Sequence, residues 1–251
     1  MRTAFQLSAI VVLVLSYAFQ TNDELYKLGL EYRVKRDNKN GLATFQKLMK
    51  ADSSNADYLA NGSYFYSKVG NTLATDQEKL SYYRKAEYLA KKAIKLNDKN
   101  AEAHYAYALA LGRINENASS SQKIANSKLI KGECDKAIAL NPKHAGAYHI
   151  LGRWHRTIAG FSGFEKTMIN AFYGGVPTGA SYEEAVKAFQ NAIVYEPKYI
   201  LHQYELAVTY HDMGKDAYAK TWLQKAIELP ATDDDNKDAK KKCEELLKQL
   251  K

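Results

Sequence analysis

The sequence predicts an all-α chain of antiparallel helix pairs stacked into a solenoid. Three observations carry this. Two segments close on one pattern, Lys136-Ala137-Ile138-Ala139-Leu140-Asn141-Pro142 and Asn191-Ala192-Ile193-Val194-Tyr195-Glu196-Pro197. Each ends a helix on a small residue, an apolar pair and a proline, which cannot continue the helix. Strong helix formers dominate the 251 residues, with only 4 prolines and 14 glycines and no long run of period two. Past the first proline, Tyr148, Leu151, Gly152 and His155 recur at helical spacing.

In order, Thr21-Asn22-Asp23-Glu24 reads as a capping box, with Leu25, Leu28 and Tyr32 on one face of a first helix. Residues 37–41 are read as its break, and residues 42–50 as a second helix with Phe45 and Leu48 inward. Residues 56–69 form the first helix of a repeat, carrying Leu59, Gly62, Ser63 and Tyr66. Thr75 to Glu78 is another capping box, opening a long helix with Ala86, Ala90 and Ala93 at the small-residue positions. The next pair begins with His104, Tyr107, Ala108 and Leu111. It passes a polar stretch at 115–121 and closes at Pro142. Small and large residues interlocking once per turn in paired helices is the tetratricopeptide pattern, with a period of about 34 residues. The pair closing at Pro197 is 55 residues long, and the surplus is 160–180, with a short amphipathic helix (Phe164, Met168, Ile169, Phe172) and a Gly-Gly-Val-Pro turn. Ser181 to Glu184 caps the helix after it. The last pair is near ideal, with Leu206, Ala207, Tyr210, Gly214, Ala219, Leu223 and Ala226 in register. Thr232 to Asp235 then starts a terminal helix over 237–250, which caps the stack through Leu246, Leu247 and Leu250.

Hydrophobic content of 46% with 25% charge excludes a disordered polymer. The N-terminus is a separate object: Arg2, the apolar run 9–15 and the small residues Ser16 and Ala18 read as a secretory signal over 1–18, cleaved after Ala18. The run is short for a membrane span. The expected product is exported, periplasmic or secreted, comprising residues 19–251; the alternative is an uncleaved N-terminal membrane anchor. Cys134 and Cys243 lie far apart in helical text, and the spacing leaves open whether they pair. Neither they nor the six scattered histidines show metal-ligand spacing, so no metal or cofactor is expected. The net charge of +8 weakly favours anionic partners. The single basic run, 237–242, faces Asp233 to Asp235 and reads as a solvated helix rather than a nucleic-acid patch.

From Ala56 to the end the chain resembles one family, the regulator of microtubule dynamics proteins. The resemblance rests on Lys123-Ile124-Ala125-Asn126, on 136–142, on His149-Ile150-Leu151-Gly152-Arg153-Trp154, and on the insertion with Ala171-Phe172-Tyr173-Gly174 and Pro177. It continues through Ser181 to Ala185 and Trp222 to Ala226. It implies a degenerate tetratricopeptide fold and a non-catalytic binding scaffold with no catalytic residues to carry over. Its eukaryotic members imply microtubule association and, in membrane-anchored forms, organelle contacts and phospholipid binding. An exported chain would not meet microtubules, so here the cytoskeletal role is the alternative.

In a paired-helix solenoid the first helix of each pair lines the concave face. That register gives a candidate groove of Tyr64, Lys68, Tyr105, Arg113, His149, Arg153, Arg156, Tyr204 and His211, with Ala60, Ser67, Leu109, Thr157, Val208 and Asp212 between them. Guanidinium groups beside aromatics suit a carboxylate or phosphate. Against this, the arginines are equally explained by pairing with Glu102, Glu133 or Asp212. The leading expectation is a peptide or protein ligand, anionic in character. The second is a phospholipid, with 160–180 as a lid closed by Phe161, Phe164, Phe172 and Tyr173. An enzyme is the weakest reading, since no nucleophile or carboxylate completes a triad with His149 or His155. An open groove with exposed arginines would favour the peptide. A deep apolar cavity under 160–180 would favour the lipid.

Overall fold

Most of the helices start where the chain supplies a side-chain acceptor, as at Thr21, Asp37 and Ser181. The computed structural model describes residues 21–172 and 175–250. Among these are twelve α-helices and no strand. Thr21 caps α1 (Asn22–Val34) and Thr75 caps α4 (Asp76–Leu96), both as reciprocal capping boxes with Glu24 and Glu78. Asp37 caps α2 (Asn38–Ala51) and Asn55 caps α3 (Ala56–Gly70). Asn100 caps α5 (Ala101–Ile114), and Ser119 caps α6 (Ser120–Leu140) after a 3-10 turn at Asn115–Asn117. His144 caps α7 (Ala145–Ala159) through its ring. The insertion holds α8 (Gly163–Phe172), and α9 (Tyr182–Tyr195) starts at Ser181. There follow α10 (Ile200–Asp212), α11 (Asp216–Glu228) and α12 (Asp234–Gln249), the last capped by Asp233.

Two boundaries differ from expectation for one reason. The polar run 37–41 is not a break but a cap and first turn: Asp37 accepts from the Asn40 amide at 3.3 Å, so α2 begins at Asn38 rather than Leu42. Likewise Asp233, within the expected start at 232–235, accepts from the Asn236 amide at 2.9 Å, so the helical turn begins at Asp234 rather than Lys237.

The helices pack as α1 with α2, α3 with α4, α5 with α6, α7 with α9, and α10 with α11; α12 lies on α10 and α11. First helices meet in turn, α3 with α5, α5 with α7 and α7 with α10, so they form one wall of the solenoid. The small residues sit where the register placed them: Ala86, Ala90 and Ala93, then Ala219 and Ala226, have no exposed surface. Large residues fill the complementary positions, as Gly152 shows. A Cβ there would lie 2.8 Å from the fully buried Phe189 ring, so only glycine lets α7 and α9 approach. Cys134 belongs to the core around Trp154 and Ile130, and Cys243 to the core around Leu223 and Ile200. Both are free and buried, and burial pushes both thiols up, Cys243 to about 12. No helix of the described residues is long and apolar enough to cross a membrane. The expected signal at 1–18 lies outside the described residues.

Candidate functional site

The wall of first helices encloses a cavity of about 1120 Å³. One part is apolar: Ile124 and Ile130 from α6, Trp154 and Ile158 from α7, and Phe161 and Pro177 from the two flanks of the insertion. Trp154 is fixed by its indole N–H, which donates to the Ser127 hydroxyl at 2.8 Å. The other part is basic and aromatic, with Arg33, Arg36, Lys68, Lys198, Tyr64, Tyr105 and Tyr199. The lining holds the cations Arg33, Arg36, Lys68, Arg113, Lys123, Arg153 and Lys198 against the two carboxylates Glu116 and Glu196.

Most of these cations are held by acids. Arg33 pairs with Glu102 at 2.7 Å, donates to Asn61 at 2.8 Å and lies 4.1 Å over the Tyr64 ring. Burial alone would raise the Glu102 carboxyl, but Arg33 and the His144 ring hold it below the usual carboxylate range. Arg36 pairs with Glu196 at 3.1 Å and lies 3.9 Å over Tyr199. Lys68 pairs with Asp235, which also accepts from the Tyr199 hydroxyl at 3.3 Å. Burial opposes the Lys68 charge, but Tyr199, Tyr64 and Asp235 outweigh it and raise the ammonium above its ordinary value. Burial likewise pushes the Tyr199 phenol up to about 12. Arg113 donates to Glu116 at 2.9 Å. Lys123 and Lys198 are exposed, and among the described residues their ammonium groups have no ion-pair partner.

His149 and His202 meet on the wall with their Nδ1 atoms 2.9 Å apart. One must donate and the other accept, so the accepting ring is neutral and the two rings cannot both be charged. Burial lowers both from the ordinary histidine value, His149 well below it.

Of the nine candidate groove residues, the fold gathers six around the cavity: Tyr64, Lys68, Tyr105, Arg113, His149 and Arg153. Leu109 and Thr157 join them. Arg156, Tyr204 and His211 do not line it. Arg156 turns to Glu205 at 2.6 Å and Asp212 at 3.6 Å, the internal pairing weighed against a binding role. Tyr204 packs in the C-terminal core, and His211 pairs with Asp216 at 2.7 Å. The reason is common to the last two. Only the first turn of α10, with Leu201 and His202, reaches the cavity, so a register carried along the whole helix overshoots. The lid expectation also needs correction. Phe161 lines the cavity, but Phe164 and Phe172 point to solvent and close nothing; Tyr173 lies outside the described residues. Register reasoning missed Arg33, Arg36, Lys198, Tyr199 and His202, which come from a turn, a loop and the ends of helices. Among the described residues no three His, Cys, Asp or Glu groups gather to hold a metal.

The stacked pairs and the ligand-sized concave cavity define a tetratricopeptide-like helical-repeat protein. Within that class, the chain belongs to the family described as Regulator of microtubule dynamics protein 1-3, which matches residues 20–251. It is 31% identical over 191 residues to Regulator of microtubule dynamics protein 1 of Bos taurus, covering 76% of this chain and 59% of that one. It is 32% identical over 178 residues to protein 3 of Xenopus laevis, covering 70% and 38%. The chain thus spans about half the length of the curated relatives it matches. Among solved structures it is similar to TTC0263, a thermophilic TPR protein of Thermus thermophilus. The TM-score is 0.62 at 14% identity, over 89% of this chain and 98% of that one, a likeness of fold alone.

Proposed function

We propose that the protein is a non-enzymatic binding scaffold whose cavity takes an anionic amphiphile of the phospholipid class. One observation carries this: a single cavity of about 1120 Å³ joins an apolar part, lined by Ile130, Trp154, Ile158 and Phe161 beside the insertion, to a basic, aromatic part. Burying acyl carbons contributes about 0.8 kcal/mol per CH₂, and charge-assisted bonds from the exposed Lys123, Lys198 and Arg153 fix the head. The internal pairing of Arg33, Arg36, Lys68 and Arg156 weakens the reading of an open peptide groove lined by free arginines. Lys123, Lys198 and the half-exposed Arg153 still suit a peptide carboxylate, and a protein ligand is the second reading. The relatives' name carries microtubule regulation as a third. We also take the chain to be exported, with the segment 1–18 removed.

Native mass spectrometry of the protein purified from its own compartment tests this, and the same spectrum reports whether the chain starts after Ala18. A co-purified phospholipid is expected. Gly112 lines the cavity, and a Cβ there would meet nothing within 4 Å, so a side chain can leave the helix at this point and Gly112→Trp should occupy the cavity. That variant should lose the lipid and keep its melting temperature. A bound peptide instead, or lipid retained by Gly112→Trp, would remove the proposal.

A further inference from the structure

We infer that α8 is a membrane-docking element, seating the cavity on an anionic bilayer. Phe164, Met168 and Phe172 stand at i, i+4 and i+8, so they form one stripe. They are 75%, 38% and 69% exposed, and only Ile169 on the other side is buried. The helix lies along no other helix of the described residues. The buried Ile169 anchors it, and polar bonds tie both ends. Ser162 and Glu165 make a capping box, with the Ser162 amide and hydroxyl each 2.8 Å from the Glu165 carboxylate and the Glu165 amide 3.2 Å from the Ser162 hydroxyl. At the far end the Val176 amide donates to the Asn170 side chain at 2.9 Å. The apolar stripe is therefore held in water by construction.

A bilayer fits this stripe better than a second protein surface. Three side chains of this size at these exposures offer roughly 350–400 Å², about half of the ~800 Å² per partner that a stable complex needs. A fluid bilayer needs no matching surface and takes up such a stripe at its interface. Charge agrees. The only carboxylate on α8, Glu165, is occupied by the cap, and Lys123 at the cavity is exposed with no ion-pair partner among the described residues; Lys166, two residues from both Phe164 and Met168, stands on the face opposite the stripe. The stripe also continues into the cavity, since Phe161 before α8 and Pro177 after it both line it. That continuity rests on the amphiphile reading; the exposed stripe and its charges do not.

The test is flotation of the full chain with phosphatidylcholine vesicles and with phosphatidylcholine–phosphatidylserine vesicles. Partition should favour the anionic vesicles and weaken with salt. Phe164→Glu with Phe172→Glu should lower it by about tenfold or more, with an unchanged circular-dichroism melt because both side chains are exposed. Gly112→Trp, which fills the cavity, should float like the natural chain. Docking that survives while no lipid is found in the cavity would overturn the amphiphile reading and leave this surface standing. Equal flotation of the double-Glu variant would overturn the docking surface. So would a dimer in sedimentation that those substitutions dissolve, which would assign the stripe to a second copy.

Discussion

His104 is fully buried with acceptors at both ring nitrogens: the Glu133 carboxylate at Nδ1 and the Asp98 carbonyl at Nε2. Two acceptors call for two N–H groups, so the ring is held as the cation, and the bond to Glu133 raises it above the ordinary value. The folded protein keeps a proton that the unfolded chain releases near pH 6.5. This contribution is complete below about pH 6.5 and is lost as pH rises through the folded value. His149 and His202 have the opposite sign. Their lowered values mean no penalty above about pH 6.5 and a growing one as pH falls below it. Urea midpoints across pH should therefore decline on both sides. Glu133→Gln should flatten the alkaline limb, and His202→Gln the acid limb; limbs unmoved by these variants would remove the assignment. None of these pairings was legible, because His104 and Glu133 are 29 residues apart and His149 and His202 are 53 apart. Helical periodicity gives a face, not a partner from another helix.

At the scale of the element the chain was far more readable. Small–large alternation survives in the sequence because each small residue must admit a particular neighbour. Ala90, Ala137, Gly152 and Ala226 are all buried where the register placed them. Gly152→Ala should cost about 1–3 kcal/mol, since the Phe189 ring must move from a packed core. A stability within error of the natural chain would mean that α7 and α9 part freely. Thr75→Ala should cost about 1 kcal/mol by removing a reciprocal cap. The insertion shows where pattern reasoning stops. Apolar residues at helical spacing predicted that α8 exists, but not which way they face. Facing depends on whether another helix is there to cover the stripe, and none is among the described residues. The groove register failed at Tyr204 and His211 on similar grounds, because the angle at which α10 leaves the cavity is a property of the stack.

In an open solenoid each repeat touches only its neighbours, so stability propagates step by step. This molecule departs from that rule, because its two ends are fastened across the cavity. Arg36 reaches Glu196, 160 residues away, and Lys68 reaches Asp235, 167 away. No local pattern encodes either link. Arg36 carries a further mark: its φ of 54° is the one left-handed backbone of a non-glycine among the described residues, a conformation that costs about 1–2 kcal/mol. The turn after α1 thus accepts strain while aiming a guanidinium across the cavity at the C-terminal end of α9. The two links should differ in weight. Glu196 is 47% exposed, so losing its pair with Arg36 should cost about 0–1 kcal/mol. Asp235→Asn leaves the mostly buried Lys68 uncompensated and should cost about 1–3 kcal/mol. Strain and pairing can be separated at one position. Arg36→Ala loses the pair and keeps the left-handed backbone; Arg36→Gly loses the pair and relieves it. Arg36→Gly should therefore be more stable than Arg36→Ala by about 1 kcal/mol. With Arg36→Ala and Asp235→Asn combined, hydrogen exchange should quicken in α1 and α2 while α5 and α7 keep their protection. Uniform acceleration would show instead that these links stabilise the stack as a whole, with no separable clasp between its ends.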